Sequence, residues 1–253
     1  MAQRSALAKR SRSVEQPRAS AREPSLDALR GVAIVAMIAY HFAFDLRMFG
    51  LASFDFENDV RWIAARSAIL STFLGVVGVS LVLADRAGVG VRRRLARIAL
   101  VAAGAIAVSV ASWLFAPSRW ISFGVLHAIA VASLLGWPLA RRPRLALALG
   151  IACLAAPLVF SHPLFDSRWT NWIGFATARP PTDDYVPLFP WFGVVALGIA
   201  AGHALVRRDF APLAPLGRAP GWLRWLGRHS LAAYLVHQPV LVGALALALQ
   251  RGP

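Results

Sequence analysis

The chain has 253 residues, of which 58% are hydrophobic and only 15% charged, and its mean hydropathy is +0.58. A soluble globular domain carries about a quarter charged residues, so this composition excludes an ordinary cytosolic enzyme, a disordered chain and a disulfide scaffold, and leaves an all-α bundle of about seven or eight membrane spans at ~20 residues each. The net charge of +15, from 27 Lys and Arg against 12 Asp and Glu, reads as the basic excess of cytoplasmic loops, with no nucleic-acid partner implied.

Residues 1–24 carry Arg4, Lys9, Arg10, Arg12, Arg18 and Arg22 without an apolar run. They predict a disordered cytoplasmic tail ahead of a membrane domain over 25–250. Seven apolar segments follow, at 27–47, 62–84, 97–115, 121–139, 145–161, 188–206 and 230–249. The first is too long for a cleaved signal core and reads as a retained span. Arg86, Arg92, Arg93, Arg94 and Arg97 follow the second segment, Arg141, Arg142 and Arg144 the fourth, and Arg207, Arg208, Arg218, Arg224 and Arg228 the sixth. The alternate loops hold only Arg47 and Arg61, then Arg119, then Arg168 and Arg179. This alternation predicts seven spans with the N-terminus in the cytoplasm and the C-terminus outside. Trp62, Trp113, Trp120, Trp137 and Trp191 sit near segment ends, as interfacial tryptophans do. The long outer loop, 162–187, reads as a solvated connector. Lys9 is the only lysine, so no membrane lysine exists for a retinal Schiff base. Cys153 is the only cysteine, which excludes an internal disulfide and a cysteine-based metal site. The preference for arginine over lysine points to a GC-rich bacterial genome, and hence to a bacterial inner membrane.

Ionisable groups inside apolar helices are expensive and mark function. The first segment holds Asp27, Arg30, His41 and Asp45. At ~100° per residue, Arg30 falls about 20° from His41, and Asp27 and Asp45 about 40° to its other side. The four form one stripe that predicts an interior face, with Asp45 one turn beyond His41 and able to orient its ring. Simpler roles exist for each: Asp27 can stabilise a helix N-terminus, Arg30 can snorkel to head groups, and Asp45 can be solvated. The fourth segment brings His127 to the depth of His41, so the two histidines are expected to approach each other. In the last segment His237 and Gln238 lie near mid-membrane before Pro239, and Trp191 stands at the proline-interrupted entry of the sixth. These three are candidate substrate-pathway residues.

Arg30 followed after ten residues by His41 resembles the Arg…His signature of the acyltransferase-3 superfamily. The strings Leu26-Asp27-Ala28-Leu29-Arg30-Gly31, Phe123-Gly124-Val125-Leu126-His127, Pro187-Leu188-Phe189-Pro190-Trp191 and Trp225-Leu226-Gly227-Arg228-His229-Ser230, the last running on to Tyr234, His237, Gln238 and Pro239, are similar to the heparan-alpha-glucosaminide N-acetyltransferase catalytic-domain family. The resemblance covers about residues 25–250, with the blocks in order. It implies an acyltransferase that moves an acyl group, by expectation acetyl, from cytoplasmic acyl-CoA to a sugar or glycan amine or hydroxyl outside, with no permanently bound cofactor or metal. The chemistry assigns His41 as base or acyl carrier. Asp45 would be its orienting partner, His127 an oxyanion or acceptor donor, and Arg30 with Asp27 the acyl-CoA contact. Two other readings stand beside it: a transporter or flippase using the same stripe as a pathway, and a haem cytochrome with His41 and His127 as axial ligands.

Overall fold

The computed structural model describes residues 23–250, so the tail expected over 1–22 lies outside the described residues. Among the described residues there are nine α-helices, joined by loops and short 3-10 turns, and no strand. The helices are α1 (Pro24–Met48), α2 (Val60–Arg86), α3 (Val91–Phe115), α4 (Val125–Gly136), α5 (Pro143–Val159), α6 (Leu188–Arg207), α7 (Ala214–Gly217), α8 (Gly221–Arg228) and α9 (Ser230–Leu249). The first begins where the tail was expected to continue. Pro24 opens it, the Glu23 carboxylate accepts from the Ser25 backbone, and Asp27 lies in the first turn.

All seven apolar segments are helical, but five helices (α1, α2, α3, α6 and α9) are long and apolar enough to cross a membrane. The other two are shorter, 12 residues in α4 and 17 in α5. At 1.5 Å per residue α4 covers only about 18 Å. Its segment is cut at both ends: residues 120–124 are non-helical, and Pro138 begins a separate 3-10 turn. The stretch 207–229, read from sequence as a plain loop, contains α7 and α8.

Two layers of glycine contact set the packing. The central helix α6 meets α2 where Gly78 faces Val195 and Ile199 and Gly198 faces Gly75, and meets α5 where Gly150 faces Gly193. Backbones this close exploit small residues, the usual device of helices in lipid. Leu74, Val82, Val195 and Ile199 fill the core beside them. At the other layer α8 lies against the start of α1: Gly31 is seated on the Leu223 carbonyl and Gly227 on the Asp27 carbonyl. Two of the sequence blocks are thereby one packing unit. A methyl at 227 would overlap the Asp27 backbone, so Gly227→Ala is expected to destabilise the fold by about 1–3 kcal/mol. A lowered Tm in detergent checks this, with Gly243→Ala as the unaffected control because nothing lies within 4 Å of its added Cβ.

The opposite side is thin. Of the described residues of α3 only Gly104 and Ala105 are buried, and of those of α9 none.

Candidate active site

Between this thin side and the α2–α4–α6 core runs one cavity of about 2070 Å³. Its basic end, where α1 begins and α2 turns into α3, is lined by Asp27, Arg30, Arg93, Arg94, Arg97 and Arg228. Its distal end is lined by Glu57, Arg66, Arg119, Arg179, Asp183 and Tyr185. Met37, Tyr40, His41, Trp191, His237 and Gln238 line the stretch between.

The α1 stripe faces inward. His41 is joined across the cavity wall to His237 of α9, with His41 Nδ1 3.3 Å from His237 Nε2. Each Nδ1 also lies on a carbonyl of its own helix: His41 on Met37 O at 3.0 Å and His237 on Tyr234 O at 2.6 Å. A carbonyl only accepts, so both rings carry their proton on Nδ1. His237 Nε2 then accepts from His41 Nδ1–H, and the His41 Nε2 lone pair is left available as a base. One turn on, Gln238 Nε2 donates to Asp45 Oδ1 at 2.6 Å. Asp45 is fully buried and is tied to Gln238; the ring of His41 is held by Met37 and His237. Asp45 Oδ2 and Gln238 Oε1 have no hydrogen-bond partner among the described residues. The expected tautomer anchor, a carboxylate, is thus replaced by a carbonyl and a second imidazole.

His127 sits elsewhere. Its Nδ1 accepts from the Gly124 backbone at 3.2 Å, and its Nε2 lies 3.3 Å from Ser109 Oγ of α3. Ser109 in turn donates to Ile121 O. Both ring nitrogens are therefore engaged in tying the start of α4 to α3, and the histidine that meets His41 is His237. Beside it, Asp184 Oδ2 accepts from Val125 N at 2.8 Å and from Tyr234 Oη at 3.2 Å. Gly124 leaves the room this carboxylate occupies. Burial pushes the Asp184 carboxyl above the ordinary carboxylate value, against the two hydrogen bonds. The residue comes from a loop read as a solvated connector; instead it joins α4 and α9 to the entry of α6. Asp184→Ala is expected to strand two donors at about 1–3 kcal/mol each, seen as a fall in Tm that Asp184→Asn largely avoids by keeping an acceptor.

At the basic end Arg30 pairs with Asp27 at 2.7 Å and donates to Ser80 Oγ of α2 at 2.6 Å. Arg94 is fixed by Val89 O, Ala84 O and Asp85 and lies 5.1 Å from the Trp137 ring centroid. Its side chain is 9% exposed, and Nη1 has no partner among the described residues. At the distal entry the Phe189 backbone is non-helical ahead of Pro190, which sets Trp191 on the cavity wall.

The structure brings together Arg30 with Asp27, His41 with His237, and Asp45 with Gln238; it places Trp191 on the same cavity and His127 in a separate contact. Sequence reasoning passed over Arg66, an arginine inside an apolar segment, and Arg94, which it counted only as loop charge. It also passed over Ser80, Ser109 and Asp184, whose partners are distant in sequence. The family model described as "Heparan-alpha-glucosaminide N-acetyltransferase, catalytic" matches residues 22–239. The chain belongs to this family of membrane transferases. Comparison with curated proteins and with solved structures found no match.

Proposed function

We propose that this family member transfers an acetyl group from acetyl-CoA at the basic end of the cavity to an amine or hydroxyl of a sugar arriving at the distal end. The observation that carries the reading is one continuous cavity with arginines at its basic end and a polarised histidine pair in its middle section. CoA phosphates suit Arg93, Arg97 and the unpartnered Nη1 of Arg94. Arg30 meets the pantetheine arm. His41 lies eleven positions after Arg30, about 16 Å along the helix, a gap that an extended pantetheine bridges.

In the transfer, His41 Nε2 takes the proton of the acceptor N–H or O–H as that atom attacks the thioester carbon. The new C–N or C–O bond forms, the C–S bond breaks, and the CoA thiolate leaves with the proton His41 returns. The positive charge that His41 acquires is shared through Nδ1–H with Met37 O and His237 Nε2. His237 is a positioning residue, the Gln238–Asp45 side-chain bond ties α9 to α1 beside it, and His127 ties α4 to α3. No permanently bound cofactor or metal is required.

The same reading places the basic end in the cytoplasm and counts α4 and α5, with their flanking turns, as spans, giving seven with the N-terminus inside, in a bacterial inner membrane. The arginine distribution supports this orientation. Cysteines introduced at 88–92 should resist an impermeant thiol reagent applied outside intact cells, and labelling there would reverse the orientation. The activity test is acetylated product, detected by mass spectrometry, from purified protein given acetyl-CoA and glucosamine. A protein that moves glucosamine across vesicles without acetylating it would favour the transporter.

A further inference from the structure

The cavity is larger than its two polar ends require: about 2070 Å³, at least twice the ~300–1,000 Å³ usual for a ligand pocket. Residues of α3 and α9 wall it on its thin side. Arg93, Arg97, Leu100, Ala107, Ala111 and Phe115 line it from α3. Their spacing of three, four or seven residues defines one helix face, from the basic end to the distal end. That face is open, with Leu100 62% and Phe115 89% exposed.

The two helices close on each other at one level, where Leu231 and Leu235 of α9 reach Gly104 of α3. Beyond that level, toward the distal end, Ala107 and Ala111 on one side and Val242 and Gly243 on the other all line the cavity. Among the described residues, none outside the backbone of α9 comes within 4 Å of where a Cβ on Gly243 would stand. A slot therefore separates the distal halves of α3 and α9. It lies within membrane-length apolar helices; Gln238 is one turn before Val242 on the α9 face turned to α3, and His237, turned to α1, lines the same cavity.

We propose that this slot admits the apolar chain of a membrane amphiphile, and that the acceptor sugar is presented to His41 as the head group of such a lipid. The proposal rests on the transferase reading for what the lipid carries. An apolar slot at hydrocarbon depth offers water no hydrogen-bond partner. The side chains at 107, 111 and 243 are small, so none of them fills the slot. Arg66 and Arg179 line the mouth above, where a charged linkage between chain and sugar finds cationic partners.

The test uses the full chain in vesicles of phosphatidylethanolamine and phosphatidylglycerol containing phosphatidylglycerol with a diazirine in its tail. After photolysis, peptide mass spectrometry should find label on Phe73, Val77 and Ile129, which line the inner wall of the cavity. It should also find label on Val110, Trp113 and Leu114, which are exposed on α3 and do not line the cavity. Ala111→Trp, or Ala107→Phe if the first folds poorly, should abolish the inner-wall label and leave the outward label. Label confined to Val110, Trp113 and Leu114 in the unmodified chain overturns the proposal, as do α3–α3 crosslinks showing that a second copy fills the slot. The acceptor role is read separately in native membranes with radiolabelled acetyl-CoA. Product should extract with lipid and be lost in Ala111→Trp while acetyl-CoA hydrolysis persists; undiminished water-soluble product in that variant overturns the assignment. Inner-wall label with neither product nor hydrolysis keeps the slot and refutes the transferase reading instead.

Discussion

Replacing His41 with alanine is expected to lower acyl transfer by ~10²–10⁴, the range of a lost general base, while the protein inserts and accumulates normally. Among the described residues the ring bonds to its own helix and to His237. Its removal therefore strands a single acceptor, His237 Nε2, beside the cavity. His237→Ala should give a smaller loss, because His41 keeps its Met37 contact and its base nitrogen but loses the partner that disperses its charge. The rate–pH profile should shift in His237→Ala, which a merely structural defect would not produce. Asp45→Asn should be close to neutral, since an asparagine carbonyl still accepts from Gln238. Product formation per mole of protein, from acetyl-CoA and glucosamine, checks all three; full activity in His41→Ala removes the catalytic assignment.

Arg30 carries the second large effect. Arg30→Lys is expected to raise the KM for acetyl-CoA by about 10–100-fold, the worth of one or more charge-assisted hydrogen bonds, with kcat changed far less. A lysine keeps a positive charge near buried Asp27 but cannot reach Asp27, Ser80 and a ligand oxygen from one planar fork. Arg30→Ala should add a stability defect, because it leaves the Asp27 carboxylate without its cation. The comparison of KM and kcat between the two variants, with Tm measured alongside, separates donor binding from folding. An unchanged KM in Arg30→Lys would remove Arg30 from the donor contact and leave it to Arg93, Arg94 and Arg97.

The helices of the seven apolar segments and the inward stripe of α1 were legible because both follow from periodicity and hydropathy alone; α7 and α8, in a charged stretch, were not. Arg30 and Asp27 are three residues apart on one helix, and a wheel brings them together. The partner of His41 was not legible. Depth matched it to His127, but helix order around the bundle decides which helix lies beside α1, and α9 is 196 residues away in sequence. Asp45 was assigned to His41 for the same reason: the i,i+4 rule sees one helix, while the Gln238 amide comes from another. Asp184 was hidden by its loop. Nothing in a polar, aromatic connector announces that one carboxylate turns inward to meet Val125 and Tyr234, although both belong to the blocks that carried the family resemblance. The shortness of α4 was written in Gly124 and Pro138, residues that bound a helix more firmly than the apolar run between them extends it.

On this account an acetyl group enters at the basic end and leaves at the distal end of one cavity. Proteoliposomes of uniform orientation, loaded with radiolabelled acetyl-CoA on the basic side and given glucosamine on the distal side, test it most directly. Labelled N-acetylglucosamine appearing on the distal side, and absent with His41→Ala, is the predicted result. Product formed only when donor and acceptor share one side would contradict it.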